Sequence, residues 1–372
     1  MSPVGAAPRS SPAARRLPRL LSARNAVVAV AAAAALLLPL FGSSFFVEFV
    51  MTRTMILGIA AATIVFLAAY GGMVSLAQYL FAGVAGFMIG NAAVAQDAWS
   101  KGLKLGWHPW VAVVFALAVT TAVALVLGAL AARTTGIYFL MITLTYAVIG
   151  YYVFGSITPL SGFGGITGID PPGLFRDHPV RMYLALVVLS VLVYAAFRAV
   201  AATPFGIALQ GIRDDPVRMA SLGFNVSLHR TLAFTLAGFV AGLAGVFNVW
   251  WNGQIDPTSI SIGPTLDLLI VAVIGGTLSL EGAWLGAFVF VVANNYLRNL
   301  PLVDRVGITE ARFSTVVGVL VLLIMVLSPD GLAGIIERVR SVLSRPGRPS
   351  QTSQPPSPPS EAPAGAAAGA GP

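Results

Sequence analysis

Long apolar runs, broken by short polar punctuation, fill most of this chain. Ten of them approach the roughly 20 residues that carry a helix across a bilayer: 25–46, 53–70, 76–95, 110–132, 136–155, 180–198, 230–251, 265–280, 282–298 and 313–328. The cores Val111–Leu130, Met182–Phe197 and Val316–Leu327 contain no charged residue. Helices that are apolar on every side belong in a core or in lipid. The pair at 265–298 is interrupted by Gly275, Gly276, Glu281 and Gly282, so it reads either as two spans or as one broken, re-entrant element.

The longest internal polar stretch is Thr203–His229. It predicts short surface helices rather than a slack linker. Asp215 followed by Pro216 is an N-cap and first-turn signal, and Gly223 stands where a glycine stops a helix. Val217, Met219, Ala220 and Leu222 give the helix an apolar side beside Arg213 and Arg218. Upstream, Ile207, Ala208 and Ile212 can form a second apolar side, with Gln210 and Arg213 off it. Such helices either rest in the headgroup plane or dock a cytoplasmic protein.

Composition agrees with the pattern. Hydrophobic residues make up 57% of 372 and charged residues 10%, with a mean hydropathy of +0.86. An ordinary soluble domain carries about 25% charged residues, so the chain is read as an all-α polytopic membrane protein. With no Cys, thiolate chemistry and disulfides are excluded. His108, His178 and His229 form no metal-binding spacing, no phosphate-binding loop of the GxxxxGK[ST] type occurs, and no cofactor is expected. The net charge of +8 sits in tails and loops, which argues against a nucleic-acid partner and for retention of basic loops in the cytoplasm.

The ten-span reading puts 14 basic residues on the side of both termini and 8 on the other, where Arg53, Lys101 and Lys104 are counted. The bias predicts both termini in the cytoplasm. Residues 1–24 read as a basic tail followed by an uncleaved first span rather than a signal peptide, because no small-x-small site follows the apolar stretch. Residues 25–335 read as the transmembrane domain and 336–372 as a Pro/Ser/Ala/Gly-rich disordered tail.

Ionisable groups inside a membrane cost about 2.5–3.5 kcal/mol each on insertion scales and usually mark function. The expected spans hold almost none: Asp267 lies one turn into the eighth, with Glu48 and Arg133 at edges. Asp267 is either an interfacial carboxylate near a helix N-terminus or a pore or packing carboxylate. One such group is thin equipment for ion coupling, so the energy for transport is expected from elsewhere. A stand-alone secondary transporter is the alternative in another class.

Several segments together resemble the M-type permease subunit of branched-chain amino acid ABC importers, over about residues 50–335. GGMVSLAQYLFAGVAGFMIG (71–90) resembles the family's G-x-x-S-L-G-Q segment, with Ala77 in place of its usual Gly. RTTGIYFLMITLTYA (133–147) is close to R-T-x-G-I-Y-F-A-M-x-T-L, and TPFGIALQGIRDDPVRMASLGFNV (203–226) is similar to S-P-F-G-R-x-L-x-A-I-R-D-N-E-x-x-A-x-x-L-G. RTLAFTLAGFVAGLAGVF (230–247), DLLIVAVIGGTLSLEGAWLGA (267–287) and LVLLIMVLSPDGLAG (320–334) continue the family's order. Departures exist: the loop SGFGGITGI (161–169) lacks the family's acid, Asp267 replaces a usual Glu and Asp330 a frequent Arg.

The resemblance implies an ABC importer permease fold that carries branched-chain or related amino acids, with urea or short amides as the alternative cargo. It implies a transport subunit, not an enzyme. The implied partners are a second homologous permease subunit, two cytoplasmic ABC ATPase subunits and an extracytoplasmic substrate-binding protein. Segment 203–226 then corresponds to the ATPase-coupling region, with Gly206, Arg213, Asp214, Asp215, Arg218, Met219, Leu222 and Gly223 as its expected contact or shaping residues. Ser75, Gln78 and Asp267 are expected in the pore or in packing. Gly-x-x-x-Gly occurs at Gly86/Gly90, Gly238/Gly242 and Gly282/Gly286, for packing within the chain or against the partner permease. GG-x-x-SL occurs at 71–76 and 275–280, a faint internal repeat.

Overall fold

The computed structural model describes residues 28–39, 43, 45–94, 102–176, 178–297 and 331. The expected span at 313–328, Asp330 and both expected tails lie outside the described residues.

The described chain is a helical bundle. In order come α1 (Val28–Pro39), α2 (Phe46–Gly71, opening with the π-helical turn Phe46–Met51) and α3 (Gln78–Ala93). Next are α4 (Pro109–Ala131), α5 (Gly136–Ser156) and α6 (Pro179–Ala202). Then follow α7 (Pro204–Asp214), α8 (Pro216–Ser221), α9 (Val226–Asn252), α10 (Ile262–Gly275) and α11 (Gly282–Val292). Five of these, α2, α4, α5, α6 and α9, are long and apolar enough to cross a membrane. The pattern places nearly every helix it predicted, with two corrections. The second helix begins at Phe46 rather than 53, so Arg53 lies inside it and not at its outer edge. The bundle also includes a pair of two-residue strands, β1 (Ile166–Thr167) and β2 (Gln254–Ile255), paired antiparallel. They mark one end of the bundle, the β end; α7 and α8 mark the other.

Helix burial sorts the bundle into centre and rim. The most apolar stretch of α2 is 78% buried, whereas those of α4 and α5 are 28% buried. On α4 the buried positions are Ala112, Ala116, Thr120, Ala124 and Gly128, one stripe of small residues four apart. That stripe lets its backbone approach α9, where a β-carbon on Gly238 would stand 2.5 Å from Ala124 Cβ. The opposite face of α4 exposes Val111, Val114, Val126 and Leu130, as a lipid-facing side should. All three Gly-x-x-x-Gly pairs pack within the chain: Gly86 against Val249 and Ile255, Gly90 against Ile166 and Ile169, and Gly242 against Thr120.

Helices α10 and α11 form a hairpin. At about 1.5 Å per residue, 14 and 11 residues are too short for either to cross a hydrocarbon core of about 30 Å alone. Their seam is backbone on backbone. A β-carbon on Gly275 would fall 2.0 Å from the Gly282 carbonyl oxygen, and one on Gly286 would fall 2.1 Å from that of Val271. The turn is anchored where the Tyr194 hydroxyl donates to Glu281 at 2.7 Å. Tyr194 precedes the end of α6 by eight residues, about 12 Å along the helix, so the hairpin stops short of the α7–α8 end. Gly331 packs against Gly276 at this turn. Both GG-x-x-SL segments fall at such breaks: Gly72 (φ +63°) ends α2 before α3 begins, and Gly276 (φ +105°) ends α10 before α11 begins.

Candidate functional site

Between α6 and α9 the chain folds as the capping signals require. The Thr203 hydroxyl accepts from the Gly206 N–H at 3.2 Å and starts α7. Asp215 ends α7 and starts α8, its carboxylate accepting from the N–H groups of Val217 (3.1 Å) and Arg218 (2.9 Å). Each such cap contributes about 1 kcal/mol. Gly223 (φ +89°) stops α8, with the Gly223 N–H donating to Ala220 and that of Phe224 to Met219, the two-bond glycine stop. Asn225 then caps α9 through the Leu228 N–H at 3.0 Å. Three short side chains and one glycine therefore fix the route of 23 residues.

The two faces of this segment differ. Helix α7 buries Ala208, Leu209 and Ile212 against the bundle, about 1.5–3 kcal/mol for each of the two larger side chains. Gly206 is needed for the close approach to α6, because its β-carbon would stand 2.2 Å from the Val200 carbonyl oxygen. Helix α8 buries none of its residues. Val217 is 75% exposed and Leu222 65%, with Arg218, Ser221 and Phe224 exposed beside them. Met219 is half-buried over Gly211 rather than fully presented. Ile207 is exposed, not on the inner face with Ala208 and Ile212.

Arg213, expected among the ATPase-contacting residues, turns toward the bundle instead. Its side chain lies across Gly72, its guanidinium donates to the Ala69 carbonyl at the end of α2, and it pairs with Asp214 at 2.9 Å. It ties α7 to the bundle.

That tie lands beside the first break. After Gly72 the chain runs without helix through Ala77, buried except at Gly72 and in part at Val74. The Leu76 N–H donates to Thr143 Oγ1 of α5 at 3.1 Å, and the Ala77 N–H to Ser75 Oγ at 3.2 Å. Gln78 Nε2 reaches the same Ser75 hydroxyl at 3.3 Å. Ser75 and Gln78 are fully buried, and Gln78 Oε1 has no hydrogen-bond partner. Non-helical backbone at this depth is tolerated in membranes only where protein surrounds it or a polar cavity meets it. Ser75 and Gln78 thus belong together at one break, whereas Asp267 is exposed on α10.

Sequence reasoning missed Arg53 and Tyr79. The largely apolar stretches on both sides of Arg53, Phe45–Met51 (broken only by Glu48) and Met55–Ala69, were the available signal that one helix runs through it. Arg53 is half-buried on α2, and Tyr79 half-buried on α3. Among the described residues no group of three or more His, Asp or Glu could hold a metal ion.

The family described as "Branched-chain amino acid transport system / permease component" matches residues 46–327. The high-affinity branched-chain amino acid transport system permease proteins LivM of Salmonella typhimurium and of Escherichia coli are each 24% identical over 250 residues. That alignment covers 60% of this chain and 57% of either relative, so the chain spans little more than half the length of these curated relatives. A probable branched-chain amino acid transport permease protein LivH of Methanocaldococcus jannaschii is 21% identical over 155 residues, 41% of this chain and 48% of the relative. No solved structure matches the chain significantly. With the match covering residues 46–327, from the first turn of α2 past the end of α11, this multi-pass membrane chain belongs to the family of branched-chain amino acid transport system permease components.

Proposed function

We propose that this chain is the membrane-spanning permease subunit of an ATP-driven importer, moving branched-chain or related amino acids across the cytoplasmic membrane. In this reading ten apolar segments enter the membrane, the hairpin α10–α11 contributing two that reach in and back without spanning it alone, and both termini and the α7–α8 end stay in the cytoplasm. It works beside a second homologous permease subunit. Two cytoplasmic ABC ATPase subunits dock from below, and an extracytoplasmic binding protein delivers cargo at the β end.

The observation that carries the reading is α8. A helix outside the long spans, capped at both ends and with none of its residues buried, presents Val217 and Leu222 to solvent with Arg218 beside them. Apolar anchors with a charged rim suit a groove on a partner protein. Behind it, α7 is buried on the bundle and joined by Arg213 to the end of α2, so a push on α8 reaches the break at Gly72–Ala77 through packed elements. Chemistry at this end needs no nucleotide site in the chain itself.

The experiment is co-purification. Val217→Glu and Leu222→Glu should leave the chain in the membrane at normal levels, since both side chains face solvent. Each should lose the ATPase subunits and transport with them, because burying an unpaired charge in a groove costs several kcal/mol. Retained ATPase in both variants would sink the coupling role and favour helices that merely lie on lipid.

A further inference from the structure

We infer that His229 is a positioning residue for transport: its ring clasps the docking segment to α9, and through α9 gives α8 a grip on the α3 side of the break at Gly72–Ala77. This rests on the coupling reading above.

Three elements meet in the clasp. The Phe205 ring, in the first turn of α7, lies flat on the His229 imidazole, with centroids 5.4 Å apart and planes 10° apart. The Phe224 ring, between α8 and α9, meets the same imidazole edge to face at 5.9 Å and 73°. His229 itself sits in the first turn of α9. Its Nδ1–H donates to the Asn225 carbonyl at 2.8 Å, since a carbonyl oxygen only accepts. That bond fixes the plane of the imidazole, so both phenyl rings meet a held surface and not a free rotor. A segment that sets out at Phe205 and returns at Phe224 is therefore pinned at one point. Among the described residues no other hydrogen bond, ion pair or ring contact joins residues 204–224 to α9.

The segment thus has two arms, and they end on opposite sides of one break. The first runs through α7, where Arg213 lies on Gly72 and donates to the Ala69 carbonyl at the end of α2. The second runs through His229 into α9, which grips the start of α3. The Phe234 ring of α9 meets Phe81 of α3 edge to face at 5.4 Å. A β-carbon on Gly245 of α9 would stand 2.0 Å from the Ala82 carbonyl oxygen of α3. Helix α2 ends at Gly71 and α3 begins at Gln78, so the non-helical stretch lies between the two grips. Close-packed interiors compress little and pass displacement on. With the Arg213 arm alone, a push on α8 would reach only α2. With both arms, it changes the relation of α2 to α3 across the break.

The test uses the full-length chain with its partner subunits in lipid vesicles. It reads leucine uptake and ATP hydrolysis side by side, recovery of the complex, and hydrogen exchange over residues 204–224. His229→Ala removes the clasp and leaves the exposed Val217 and Leu222 of α8 untouched. The ATPase subunits should stay bound and still hydrolyse ATP. Leucine moved per ATP should fall about threefold or more, the scale of one lost ring pair, while exchange over 204–214 and 216–222 rises. His229→Phe keeps the stacked ring and should recover a large share of both readings. Phe205→Ala should act as His229→Ala does, and the double variant should be little worse than either, as expected for partners in one contact. Wild-type leucine per ATP in His229→Ala overturns the clasp. So does loss of the complex in that variant, or a loss of leucine per ATP that His229→Phe does not recover, either of which makes the ring ordinary packing. A wild-type chain that recovers no ATPase subunits would instead overturn the coupling reading, and needs no variant to see.

Discussion

The β-carbon that Gly72 lacks would stand 2.6 Å from Cγ of Arg213. Gly72 also holds φ at +63°, a left-handed conformation that glycine adopts without a side-chain clash. The glycine that ends α2 and the last turn of α7 therefore touch at a point where only glycine fits. Through this contact the solvent-facing α8 is connected to the non-helical break that leads into α3.

Gly72→Val should both strain the backbone and displace Arg213. We expect the detergent-solubilised chain to lose about 1–3 kcal/mol of stability and so to melt at a lower temperature. Arg213→Ala removes the tie without the strain, at about 1 kcal/mol for a partly exposed hydrogen bond. Fluorescence-detected size-exclusion chromatography after heating checks both. If Arg213→Ala also leaves ATPase binding intact while transport falls, Arg213 transmits motion rather than contacting the ATPase.

Asp215→Ala removes the cap that accepts from both Val217 and Arg218. A helix of six residues has little reserve, so loss of about 0.5–2 kcal/mol should leave α8 open much of the time. Hydrogen exchange over residues 216–222 should rise, while exchange in α9 stays as it was. An unchanged pattern would mean that packing, not the cap, holds α8.

Uptake should survive a protonophore as long as cellular ATP is maintained. Loss of uptake at constant ATP would turn the reading toward an ion-coupled transporter.

A reporter fused after Leu343 should behave as cytoplasmic if both termini lie on the α7–α8 side. An active periplasmic reporter there would remove that topology.

Much of this was legible beforehand because it is written in local chemistry. Asp215, Pro216 and Gly223 announce α8 by side-chain hydrogen bonding and backbone freedom, and they act within four residues of themselves. What the pattern missed is set by tertiary neighbours. Arg53 marks the expected start of the second span because a charge ordinarily ends an apolar run, yet here helix α2 begins earlier and carries it inward. Arg213 is expected off the apolar side of its helix, beside Arg218, but its direction depends on Gly72, far off in sequence. The burial of Ser75 and Gln78 depends likewise on Thr143 and α5. The pair at 265–298 stayed ambiguous because glycines end a helix and permit close packing equally well, and here they do both.

The hairpin α10–α11 closes through backbone rather than side chains, and its contacting residues Gly275 and Gly282 are only seven positions apart. Closing so short a loop costs little chain entropy, and no side chain has to find a rotamer at the seam. The two half-length helices can therefore pair as they leave the insertion machinery, before the rest of the bundle is present. During biogenesis they would enter the lipid as one prefabricated wedge, with Asp267 already carried on its outer side.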